Sequence, residues 1–142
     1  MKEFGYYLQT SDVKRCTKNI ALAKSLVIDM KTRLSENWDE DINKKPKTIF
    51  ENVYDSLRDF CDALLALEGF KSYSHEASIA FLLKKGFDIA TVSKFDNLRY
   101  MRNGSKYYGR QITPEDAKNI KDFYNQLKEK IDNIVKQNKL NV

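Results

Sequence analysis

The chain has 142 residues, 42% apolar and 32% charged, with 25 Lys and Arg against 20 Asp and Glu for a formal charge of +5. That suits one domain, 1–142, with a modest core, and 5 Gly and 2 Pro are too few for a sandwich or barrel of many tight turns. The longest uninterrupted apolar runs, Ala63–Leu67 and Ile79–Leu83, fall far short of a bilayer span, so no membrane partner is expected.

Helical periodicity runs through the sequence. Val13, Cys16, Ile20, Ala23, Leu26, Val27, Met30 and Leu34 recur in steps of three and four, which predicts a first helix over 12–35 capped by Ser11 or Asp12. Lys14, Arg15 and Lys18 would form a solvated basic edge on it. Glu36–Lys47 holds four acids and then three lysines and reads as a solvated loop. Trp38 within it is expected to fold back on the bundle rather than to meet a partner. A second helix over 46–68 carries Phe50, Val53, Tyr54, Leu57, Phe60, Cys61, Leu64 and Leu65, with Pro46 and the capping-box spacing Thr48-x-x-Glu51 at its entry.

Gly69-Phe70 and Gly86-Phe87 share one stop device: a Gly able to turn left-handed, then a Phe able to pack back on Leu65 or Leu82. The third helix, 74–85, lies between them; it is apolar on most sides, which places it at the centre of the bundle. A fourth helix, 91–102, carries Val92, Phe95, Leu98 and Met101 and should stop at Asn103-Gly104. Thr113-Pro114-Glu115-Asp116 opens a last helix over 114–136 with a cap, a first-turn Pro and two acids facing the dipole. No strand pattern survives. The expected fold is all-α, an up-and-down bundle of four to five helices.

The basic excess has an address. Arg99, Arg102, Lys106 and Arg110 stand between Asn97 and Pro114 with no acid among them, and these four cations account for most of the surplus charge. Tyr100, Tyr107 and Tyr108 are interleaved with them. Arginine offers bidentate phosphate contacts and tyrosine offers a face for a base, a mixture suited to single-stranded RNA or a nucleotide. Cations that merely offset a helix dipole give the plainer account of the same stretch.

The residues FENVYDSLRDFCDALLALEGFKSYSHEASIAFLLKKGF, followed by FDNLRYMRNGSKYYG, resemble the HEPN family, an all-α domain of prokaryotic defence and toxin systems. The family's hallmark is an Arg, often followed by a polar residue such as Asn, with a His four to six positions later. Arg102-Asn103 matches its first half, and Tyr107 stands where the His belongs, followed by Tyr108. The resemblance implies a homodimer in which Arg102, Asn103 and Tyr107 meet RNA or a nucleotide phosphate, with Arg99, Lys106, Tyr108 and Arg110 adding attraction. In ribonuclease members the His would activate the 2′-hydroxyl and the Arg would hold the scissile phosphate across a dimer cleft. A metal-independent endoribonuclease of a toxin or defence system is therefore one expectation. Tyrosine, with a pKa of about 10, is a poor base at neutral pH, so binding without cleavage is the other. Relatives also work beside a small nucleotidyltransferase, which makes a non-catalytic module holding such a partner the alternative.

The sole histidine, His75, would serve as a substitute base if the fold carried it to Arg102; as a lone His its ordinary role is structural. Cys16 and Cys61 both fall on apolar stripes and read as small core residues of a reduced, cytoplasmic protein. The opening MKEFGYYLQTS lacks the apolar stretch of a secretory signal. One His and two apolar-face cysteines lack metal-ligand spacing, and neither a phosphate-binding Gly loop nor a Ser-nucleophile motif occurs, so no metal and no cofactor are expected.

Overall fold

The computed structural model describes residues 1–141. In chain order these form α1 (Phe4–Gln9), β1 (Val13–Arg15), α2 (Ile20–Asn37), α3 (Pro46–Glu68), β2 (Phe70–Ser72), α4 (His75–Ala80), a 3₁₀ turn (Phe81–Lys85), α5 (Ile89–Tyr108) and α6 (Pro114–Gln137). The protein is mostly helical, and no helix among the described residues is long and apolar enough to cross a membrane.

α3 is the axis of the molecule. Phe50, Tyr54, Leu57, Phe60 and Leu64 form one stripe along it, Ile49, Ser56 and Ala63 widen that face, and all are buried, because α2, α4, α5 and α6 each pack on it. Each large apolar side chain removed from water contributes about 1.5–3 kcal/mol, so this helix supplies much of the core. The short apolar α4 is also buried, at Ala77, Ser78, Ile79 and Ala80, but it wedges between α3 and α5 rather than forming the centre expected for it. α3 holds that place because its apolar residues cover more of its circumference over more turns.

Two helix boundaries and one helix cap differ from the periodic reading. The first helix starts at Ile20, capped by the Asn19 side chain accepting from the Leu22 amide, not at residue 12. Residues 13–15 instead pair antiparallel with 70–72, Val13 opposite Ser72 and Arg15 opposite Phe70, which adds a small ribbon that three-residue strands are too short to announce. Lys14, Arg15 and Lys18 therefore lie on β1 and the link after it, and Cys16 is exposed while Cys61 is buried. α3 begins at Pro46 with Lys45 as an uncapped N-cap, so Thr48 and Glu51 fall inside the helix and form no capping box. α5 runs through Asn103-Gly104 to Tyr108, and Gly109 at φ 71° ends it.

Other local signals are realised. Gly69 and Gly86 are left-handed at the ends of their helices, and Thr113 and Asp116 form a reciprocal capping box. Trp38 folds back, its ring 5.5 Å from that of Tyr124. α1, which carried no periodic signal, seats Phe4 between Phe70 and Phe81 at ring distances of 5.2 and 4.7 Å.

Candidate functional site

Because α5 continues past Gly104, the basic and aromatic residues stand on a helix in four-residue steps. Arg99, Asn103 and Tyr107 make one stripe; Tyr100, Gly104 and Tyr108 make the next. Each stripe floors a cavity. The first, about 270 Å³, is closed on its far side by Ser74, His75 and Glu76 of the α4 region. The second, about 380 Å³, is completed by Arg110. Arg99 and Asn103 line both, so the two cavities adjoin along this stripe and together make up the α5 cleft.

Arg110 reaches the cleft through the helix stop. The left-handed Gly109 turns the chain so that the Arg110 amide donates to Gly104 O at 3.0 Å. The Arg110 side chain then crosses Gly104: a methyl group there would lie 3.3 Å from Arg110 Cδ. Tyr100, Tyr107 and Tyr108 flank the cleft at 72%, 64% and 85% exposure. Exposed aromatic rings of this kind offer stacking faces for bases or for a protein partner.

Its cations are not equivalent. Arg99 Nε donates to Asp96 at 2.7 Å and Arg99 also faces Glu76 at 3.9 Å. Arg102, the match to the family hallmark, turns inward: its side chain is 11% exposed, pairs with Asp55 at 3.4 Å and lies over the Tyr54 ring. Lys106 and Arg110 make no ion pair among the described residues, so they hold the unspent positive charge. Glu76 is the one carboxylate lining the cleft among the described residues.

His75 is brought to this cluster. The Tyr54 hydroxyl lies 3.3 Å from His75 Nδ1, with the two rings stacked. Burial lowers the imidazole pKa to about 4, aided by Arg58, Arg102, Arg99 and Lys106, so the ring is neutral at physiological pH. Burial pushes the Tyr54 phenol well up, so it keeps its proton. A phenol that donates to His75 Nδ1 would leave the imidazole N–H on Nε2, a tautomer that this contact allows without fixing.

The fold thus gathers His75, Arg99, Asn103 and Tyr107 in one cavity and Arg99, Asn103, Tyr108 and Arg110 in the other. Lys106 stands beside them with its ammonium 5.6 Å from the Tyr107 ring, and Arg102 sits behind the cleft. Ser74, Glu76 and Gly104 are members that the sequence did not single out. The spacing of four from Arg99 to Tyr107 was the available signal, hidden by the helix stop expected at Asn103-Gly104. Among the described residues no group of three or more His, Cys, Asp or Glu is placed to hold a metal ion. No protein-family model, curated protein or solved structure matches this chain.

Proposed function

We propose that this protein is an HEPN-like bundle whose α5 cleft binds the phosphate of single-stranded RNA or of a nucleotide. The observation that carries this is the pair of adjoining cavities that share Arg99 and Asn103, where Arg110 makes no ion pair among the described residues and three exposed tyrosines line the rim. Arg99 and Arg110 would hold phosphate, Asn103 would donate to it, and Tyr100, Tyr107 and Tyr108 would stack on bases. Arg102 supports the cleft from behind by fixing Asp55 and Tyr54.

Tyr107 and the neutral His75 make cleavage a separate question from binding. If the protein is a metal-independent endoribonuclease, hydrolysis persists in EDTA and disappears with Arg99→Ala. The binding test is fluorescence anisotropy with a labelled single-stranded RNA. Arg99→Ala and Arg110→Ala are each expected to weaken binding by about tenfold or more, as loss of a charge-assisted contact does. Affinity unchanged by both variants would sink the phosphate reading. A protein interface is the competing use of the same surface, since tyrosine and arginine are enriched there too. It is favoured instead if the chain binds no RNA and the tyrosine variants change its oligomeric state or its complex with a nucleotidyltransferase.

A further inference from the structure

We infer that the cavity between α2, α3 and β2 is a second binding site, one for a small hydrophobic amine whose ammonium group meets Asp62. The cavity measures about 510 Å³, roomier than either part of the α5 cleft, and shares none of their lining residues among the described residues. That volume falls within the range of small-molecule sites, which are mostly apolar with a few polar groups. Leu22 and Leu26 of α2, Leu65 and Ala66 of α3 and Phe70 of β2 supply its apolar wall. Leu22 is 47% exposed and Leu26 only partly buried, so they leave wet an apolar surface that the hydrocarbon body of a ligand would cover.

Asp62 gives the cavity its sign. Two charged residues line it among the described residues, Asp62 and Lys71. The Lys71 ammonium sits 5.6 Å from the centre of the Tyr73 ring, and Tyr73 is not part of the wall. The Asp62 carboxylate has no firm partner. Arg58 Nε stands 4.0 Å away, beyond hydrogen-bond reach, and makes no hydrogen bond among the described residues. An i,i+4 pair of this kind on one helix contributes only about 0.2–0.5 kcal/mol. Ser78 has one hydroxyl proton, and Ser74 O, at 3.1 Å, lies closer to it than Asp62 does at 3.3 Å. The carboxylate, with about four lone-pair sites, therefore keeps room for a ligand donor. Burial raises the Asp62 carboxyl above its ordinary value, an effect that a cationic partner reverses. An alcohol would fill one lone pair, an ammonium group would also offset the charge, and an acid would be repelled.

Cys16 makes the test direct, because it lines the same cavity and is exposed whereas Cys61 is buried. Phenylbutylamine, phenylbutanol and phenylbutyrate share one body and are titrated into the full chain by calorimetry, with Cys16 alkylation by N-ethylmaleimide timed at saturation. The amine is expected to bind about tenfold more tightly than the alcohol, the worth of a charge-assisted hydrogen bond, and the acid more weakly than both. Bound amine should slow Cys16 alkylation several-fold. In Asp62→Asn the amine and the alcohol should bind alike, with the alcohol at its wild-type affinity. Leu22→Lys removes apolar wall and adds a like charge, so it should weaken the amine by about tenfold or more. Circular dichroism checks that both variants stay folded, and Leu22→Lys, at an exposed position, carries the test should Asp62→Asn unfold. Binding of none of the probes at millimolar concentration, or Cys16 alkylation indifferent to bound amine, overturns the site. An alcohol that binds as tightly as the amine, or amine affinity unchanged in both variants, overturns the role of Asp62. Tightest binding of the acid overturns the amine assignment in favour of Lys71. RNA affinity should be indifferent to Asp62→Asn, so this site and the phosphate reading of the α5 cleft stand or fall separately.

Discussion

Tyr54 and His75 are joined through a 3.3 Å contact between the phenol oxygen and Nδ1, and a phenol proton donated along it would place the proton of the only histidine on Nε2. The Tyr54 ring is fully buried in α3 while His75 stands at the cleft, so the contact ties the core to the site. Nitrogen-15 spectra of the imidazole are expected to show the Nε2–H tautomer at pH 7 and a titration near 4. Tyr54→Phe removes the donor and should give a tautomer mixture, at a stability cost of about 0.5–1.5 kcal/mol. Titration near the ordinary histidine value would contradict the burial that defines this side of the cleft.

Arg102 and Arg99 are three residues apart on α5 and are predicted to behave oppositely when replaced. Arg102 is mostly buried, paired with Asp55 and stacked on Tyr54. Arg102→Ala should cost about 1–3 kcal/mol in urea unfolding, because Asp55 and the Tyr54 face lose their partner. Its effect on RNA affinity should be smaller than that of Arg110→Ala, whose exposed side chain contributes within about 0.5 kcal/mol to stability. A stability-neutral Arg102→Ala that abolishes binding would return Arg102 to direct phosphate contact.

How much of this was legible beforehand depends on whether the signal was local. Thr113 with Asp116, and the glycines at 69 and 86, act within one turn, and each does what its residue type dictates. Asn103-Gly104 is the instructive failure: glycine is tolerated in a helix at about 1 kcal/mol, and the left-handed stop fell to Gly109 five residues on. Ribbon residues 13–15 meet 70–72 across more than fifty positions of chain, beyond the reach of any periodicity. The cleft shares that property. Glu76 and Arg99 belong to separate helices, and only the packing of α4 on α5 brings them together.

Acid should act on this protein through groups of opposite sign, His75 and Asp59 among them. His75 has its pKa lowered to about 4 by burial, so the unfolded chain takes the proton first and its contribution is lost as pH falls from 6.5. Asp59 has its pKa raised from 3.8 to about 6 by burial, which outweighs the pull of Arg33 at 3.0 Å. The folded chain therefore takes that proton first and gains stability as pH falls through 6. The two changes share the window between 4 and 6 and oppose each other. Relative to wild type, Asp59→Asn should become less stable on going from pH 7 to pH 4, and His75→Gln more stable. Urea midpoints at several pH values check both, and parallel curves for all three proteins would refute the linkage.

Gly104 and Gly69 pose the same substitution in two different settings. At Gly69, φ is 77° and a methyl group would lie 2.6 Å from the carbonyl oxygen of Cys16, beside the ribbon. Left-handed strain alone is worth about 1–2 kcal/mol, and the clash falls on backbone that is hydrogen-bonded to Gly69 O through Cys16 N at 2.8 Å. Gly69→Ala should therefore destabilise by at least about 2 kcal/mol. Gly104 is helical, and alanine there should stabilise the helix by about 0.5–1 kcal/mol. The one group its methyl would crowd is the Arg110 side chain, at 3.3 Å from Cδ, which is exposed and free to swing away. Swinging away takes Arg110 out of the cleft. Gly104→Ala is thus expected to melt no lower than wild type yet bind RNA several-fold more weakly, with little further loss when Arg110→Ala is added. Full additivity of the two substitutions in anisotropy titrations would show that Gly104 does not act by letting Arg110 lie across it.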